Sequence, residues 1–117
     1  MSTDRLFHIT TRAEIDAARA AGEYRPGGFA REGFIHCSYG QQVEATAARH
    51  FAGRTELVLL EIDREALSCA VVDENLSGGD ELFPHLYGPL PLAAVIAVYP
   101  FSGSFPPGQA EAGPHLL

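Results

Sequence analysis

Apolar and polar positions along residues 5 to 9, "RLFHI", alternate as a strand does: Phe7 and Ile9 share one face, and His8 lies with Thr10 on the other. Thr11 followed by Glu14 fits a capping box that opens a helix over 12–21, with Ile15, Ala18 and Ala21 as its narrow apolar face and Gly22 as its stop. The Gly- and Pro-punctuated stretch "EYRPGGFAREG" reads as a loop whose Tyr24, Arg25 and Arg31 either line a pocket or are solvated. "FIHC", 34–37, is the next strand. Ser38 and Gln41 then fit a second capping box, and Val43, Ala47 and Phe51 at i, i+4 and i+8 mark the buried face of a helix ending near Gly53.

"ELVLLEID", 56–63, is a nearly continuous apolar run of the kind that suits a central strand covered on both faces. "REAL" is a turn or short helical piece, and "SCAVVDE" is a strand ending at Asp73 and Glu74. "NLSGGDELFPHLYGPLPL" holds Gly and Pro too densely for regular structure and reads as a loop. "AAVIAVYPF" is a final β-branched strand; beyond it residues 102–117 lack periodicity and are expected to form a mobile tail, which sets His115 aside. Five or six strands with two helices in the N-terminal half give an α+β domain over 1–101.

At 117 residues the chain is long enough to bury a core without staples. Its start carries no basic segment followed by an apolar run, and no stretch approaches a membrane span, so a cytoplasmic protein is expected. Two cysteines, Cys37 and Cys69, are too few for a disulfide framework and read as core thiols. Fifteen acidic residues face eight basic ones, all arginine, for a net charge of −7. That balance argues against tight binding of DNA or RNA, while leaving room for a local arginine pocket that holds one small phosphate ligand.

The candidate chemistry is a motif met three times: a histidine with a hydroxyl two residues later, as His8 with Thr10, His36 with Ser38 and His85 with Tyr87. In "GFIHCS" strand alternation puts His36 and Ser38 on one face, about 6.6 Å apart, and Ile35 and Cys37 on the other. Cys37 is thereby turned away from His36 and is not its nucleophile. In "FPHLYGPL", Pro84 extends Phe83, Gly88 and Pro89 force a turn, and His85 and Tyr87 fall on one side. A lone strand histidine is ordinarily a hydrogen-bonded, half-buried residue, as His50 beside the second helix is expected to be. Three copies point to one shared polar pocket. Three histidines would suit zinc, yet there is no H-E-x-x-H and no Cys/His pair at ligand spacing, so no metal is expected.

Paired His-x-Thr and His-x-Ser strands resemble the two-histidine phosphoesterases, although there the motifs lie much further apart than the 28 positions between His8 and His36. "LFHITT" followed by a helix resembles the first motif of the ADP-ribosyltransferase superfamily, and "GFIHCS" its second, above all in the branch of the RNA 2′-phosphotransferases. Across nearly the whole chain, the ordered series "FHITT", "GEYRP", "EGFIHCS", a Gln-containing helix, "LVLLEID" and "LFPHLYGPLPL" closely resembles the bacterial domain-of-unknown-function family numbered 952. Ile15 stands where that family usually has a tryptophan, a departure that affects packing more than chemistry.

The resemblance implies an ADP-ribosyltransferase-like mixed β-sheet core and a small-molecule nucleotide, NAD, as the partner. His8, Thr10, Ser38, Tyr87 and Arg12 would hold the nucleotide, with Arg25 or Arg31 as other cations for its pyrophosphate. His36, His85 and Glu74 would carry the chemistry. The superfamily's late glutamate corresponds to Glu74, with Glu81 and His85 as rivals. An ADP-ribosyl or phosphoryl transferase acting on a small or protein acceptor, and a non-catalytic nucleotide sensor, are both compatible with these residues.

Overall fold

The computed structural model describes residues 4–76 and 79–111. In chain order the strands and helices are β1 (Arg5–Thr11), α1 (Arg12–Ala21), β2 (Glu23–Tyr24), α2 (Phe29–Glu32), β3 (Ile35–His36), α3 (Val43–His50), β4 (Leu57–Asp63), β5 (Val71–Glu74), β6 (Phe83–Leu86), β7 (Leu90–Pro91) and β8 (Val95–Pro100). Single 3-10 turns occupy Gly40–Gln42, Arg64–Ala66 and Leu92–Ala94.

β4 is the middle strand of a three-stranded sheet, β1-β4-β8, and its apolar run is divided between two cores. Val58, Leu60 and Ile62 enter the main core with Leu6, Ile15 and Tyr24, whereas Leu57 and Leu59 join Phe7, Ile9, Val43 and Ala47 beneath α3. This is why the segment tolerates no polar face. α1 starts where expected: Thr11 Oγ1 accepts from the Glu14 N–H at 3.2 Å, and Gly22 ends the helix at φ 77°. The start of α3 departs by one residue from the Ser38–Gln41 pair. The Tyr39 N–H donates to Gln42 Oε1 at 3.0 Å, and one 3-10 turn precedes the helix. Gln42 is buried and Gln41 exposed, which decides between two adjacent glutamines of equal capping ability.

A second three-stranded sheet has the order β3-β6-β5, and β2 pairs with β7. Its middle strand, β6, lies inside the segment read from sequence as a loop. Pro84 explains both the misreading and the local geometry. The Cys37 N–H donates to the Pro84 carbonyl at 2.9 Å, but proline has no N–H to return, so the β3–β6 ladder ends at His36. Released there, the chain crosses to the first sheet, where Ser38 and Phe7 exchange both backbone hydrogen bonds at 2.8 Å. This two-bond seam joins the sheets.

Every pairing among the described residues is antiparallel, which corrects the expectation of a mixed sheet. A parallel pair needs a crossover inside one sheet, and neither long helix supplies one, since α1 and α3 each lead from one sheet into another. The "EYRPGGFAREG" stretch likewise holds β2 and the one-turn α2. Residues 102–111, expected to begin a mobile tail, make contacts with the rest of the chain: Phe105 meets Phe7 edge-on at 5.1 Å, and the Glu111 N–H donates to the Val98 carbonyl. His115 lies outside the described residues.

Candidate functional site

β3 and β6 place His36 and His85 directly opposite each other, so both rings stand on one face of the second sheet, 5.0 Å between centroids. Ile35 and Leu86, one residue along, point into the main core. Phe34 sits edge-on to His36 at 4.9 Å and to His85 at 5.0 Å, and also meets Tyr87 at 5.5 Å. The two histidines differ in access. The His36 side chain is 59% exposed, with Glu32 Oε1 3.8 Å from its Nε2, whereas His85 is 2% exposed. Partial burial first, and the neighbouring His85 second, hold His36 below the ordinary histidine range. Among the described residues, His85 Nδ1 is the one buried side-chain nitrogen or oxygen without a hydrogen-bond partner.

His8 comes from the first sheet and is tied to the second. Its Nδ1 donates to the His36 carbonyl at 2.6 Å, which leaves Nε2 to accept from the Tyr24 hydroxyl at 2.9 Å. The Tyr24 oxygen also lies 2.9 Å from Thr10 Oγ1 and 3.2 Å from Glu14 Oε1, and the Thr10 hydroxyl donates to Glu14 at 3.1 Å. Burial lowers the His8 pKa to about 4, more than the His36 carbonyl and Glu14 raise it. His8 is therefore neutral near pH 7, with both nitrogens occupied. Burial likewise raises Tyr24, and it pushes the Cys37 thiol up to about 12, as befits an inert core residue.

A cleft of about 340 Å³ runs along this face. It brings together His8, His36, His85, Ser38 and the rival acid Glu81 among the candidate site residues singled out from sequence. Ser38 Oγ lies 3.3 Å from Thr46 Oγ1, so its hydroxyl is shared with α3. Thr10 is not part of the lining; its buried hydroxyl is taken up by Glu14 and Tyr24. Arg12 pairs with Glu111, and Arg25 with Glu23 at 2.6 Å, so neither arginine faces the cleft, nor does Arg31. The cation on its wall is Arg49, beside His50, which proves to be a lining residue despite its expected packing role. Glu74 and Tyr87 stand outside the lining, and the carboxylates on the wall are Glu32 and Glu81. Tyr87 donates a short hydrogen bond to Glu74 Oε1, an oxygen that is also 3.9 Å from His85 Nδ1.

Phe34, Phe83, Arg49 and Thr46 were missed from sequence. Phe34 and Phe83 share the facing parity of their neighbours His36 and His85, a signal that was present. Arg49 gave none, since an arginine in the last turn of a helix is ordinarily solvated. Among the described residues no group of three or more His, Cys, Asp or Glu side chains is placed to hold a metal ion. No helix there is long and apolar enough to cross a membrane.

An antiparallel α+β chain with a histidine-lined cleft across a split sheet is the class these features define. Residues 9–98 match the family described as a protein of unknown function, DUF952, and the chain belongs to that family. The crystal structure of protein CC0527 from Caulobacter crescentus is similar over 96% of this chain and 97% of that one, at 37% identity and a TM-score of 0.76. The solution NMR structure of the same protein covers 86% of each chain at 38% identity, with a TM-score of 0.73. No curated protein matches the chain.

Proposed function

We propose that the cleft is a nucleotide site that takes NAD or ADP-ribose, and that the protein is an ADP-ribosyltransferase-like enzyme using NAD as its substrate. The observation that carries this reading is the convergence of His8, His36 and His85, from three strands, on one cleft that Phe34, Phe83 and Arg49 also line. Phe34 and Phe83 offer flat apolar surface to a base, Arg49 offers a fork for phosphate, and the exposed His36 imidazole suits a ribose hydroxyl. Cleavage of the nicotinamide bond develops positive charge on the ribose. Glu81, held by Gln42 Nε2 at 3.2 Å, and Glu32 are the wall carboxylates able to stabilise it. A non-catalytic sensor is the second reading, favoured by the absence of Glu74 from the lining.

Millimolar NAD or ADP-ribose is expected to raise the melting temperature, since a ligand present at a hundredfold its Kd stabilises the native state by about 2.7 kcal/mol. Arg49→Ala and His36→Ala, both at exposed positions, should abolish the shift while leaving the unliganded protein nearly as stable. Nicotinamide release by the wild type separates enzyme from sensor. No shift with either nucleotide at millimolar concentration overturns the nucleotide assignment.

A further inference from the structure

We propose that Glu74 and His85 form a carboxylate–histidine pair that accepts a proton from a hydroxyl of the molecule bound in the cleft, with Tyr87 holding the carboxylate aside until that transfer. The inference stands on the geometry of these three side chains and holds whether or not the ligand is a nucleotide.

His85 is boxed in on the middle strand. His36 stands opposite on β3, Val72 opposite on β5, and Phe34 packs against the ring edge. A histidine so buried is ordinarily fixed by a hydrogen bond at Nδ1, which sets the tautomer and leaves Nε2 to work. Here Nδ1 has no partner, yet a carboxylate oxygen waits 3.9 Å away, about one ångström beyond hydrogen-bond reach. That oxygen, Glu74 Oε1, is taken by the Tyr87 hydroxyl. The Tyr87 residue is 38% exposed and the Glu74 side chain 30%, so both have room to turn, while His85 has none. His85 lines the cleft while Glu74, beside its Nδ1, does not, and the other nitrogen, Nε2, is assigned to the ligand.

The step balances without a co-reactant. The proton leaves the ligand's hydroxyl oxygen for His85 Nε2, the bonding pair stays on that oxygen and makes it a nucleophile, and Glu74 turns from Tyr87 to accept from the Nδ1–H of the resulting imidazolium. Tyr87 then donates to solvent. His85 is the catalytic residue in this arrangement; Glu74 is a positioning residue and Tyr87 its restraint.

If Tyr87 restrains Glu74, removing Tyr87 changes His85 only while Glu74 is present, which a merely structural role would not produce. The charged and titratable groups around His85 are His36 on β3, Glu74 on β5 and Tyr87 after β6, with Glu32 beyond His36. Histidine ring-nitrogen NMR on the full chain, followed over pH 5 to 9, resolves His85 from His36. Tyr87→Phe should free Glu74 and enrich the Nδ1–H tautomer of His85. Glu74→Gln should not enrich it, and the double variant should behave like Glu74→Gln. A tautomer ratio unmoved by Tyr87→Phe, or moved equally in the Glu74→Gln background, overturns the proposal. The measurement uses no ligand, so it fails or succeeds independently of the NAD and ADP-ribose tests.

Discussion

His8 binds the site to the stability of the whole chain. Its imidazole is neutral because burial lowers its pKa from 6.5 to about 4, while the unfolded chain protonates it normally. Between those values the unfolded state binds more protons, so the stability due to a neutral His8 is full above pH 6.5 and is lost as pH falls toward 4, by about 3 kcal/mol. His36, lowered in the same direction, adds to the slope. Urea unfolding at pH 7, 5.5 and 4.5 should show the wild type losing stability toward acid and His8→Gln losing distinctly less. Parallel pH profiles for the two proteins would show that His8 is not the group responsible. The same contacts make His8 unsuitable for probing ligand binding alone, because removing it also leaves the buried Tyr24 hydroxyl one partner short.

The individual elements show where sequence patterns suffice and where they do not. Alternation placed His8 opposite Phe7 and Ile9, and His36 opposite Ile35, because a pleated strand leaves no other option once one face is apolar. Capping was legible at Thr11 but slipped at α3, where two glutamines compete and tertiary burial chooses Gln42. Strand β6 was hidden because Gly and Pro density describes local freedom and is silent about pairing with distant partners. Pro84 sits in a middle strand only because its nitrogen faces the point where β3 stops. Pro84→Val restores an N–H opposite the Cys37 carbonyl, so the variant should fold, and hydrogen exchange should find a protected amide at position 84. Rapid exchange at that amide would mean that β3 diverges for some other reason.

At the scale of the molecule, the main surprise is the segment after β8. Lack of periodicity from residue 102 suggested a mobile tail, whereas the Phe105 ring sits against Phe7 and Gly40, and the Phe105 N–H donates to Glu44 at 2.8 Å. No periodicity announces such packing, since an irregular segment fills space one residue at a time. Phe105→Ala should cost about 1–3 kcal/mol in denaturant unfolding, less than a fully buried phenylalanine because the ring is partly exposed. A loss under half a kcal/mol would place this segment outside the cooperative unit. The site was legible in part for a related reason. Strand periodicity reveals which side chains share a face and so placed His8 and His36, while His85 was singled out by the repeated His-x-hydroxyl pattern in a segment read as a loop. Neither signal says which helix closes over that face, and Arg49 was missed.

The seam between Phe7 and Ser38 has a mechanical meaning. It works like the spine of a book: each sheet is a stiff cover, and the cleft lies where the pages meet, with His8 stitched to the His36 carbonyl beside it. Any motion that parts the covers at this seam strains its two backbone hydrogen bonds. A ligand that wedges the covers apart should loosen the Phe7 and Ser38 amides together, and one that draws them closed should tighten both, so these two protons act as a strain gauge for occupancy of the cleft.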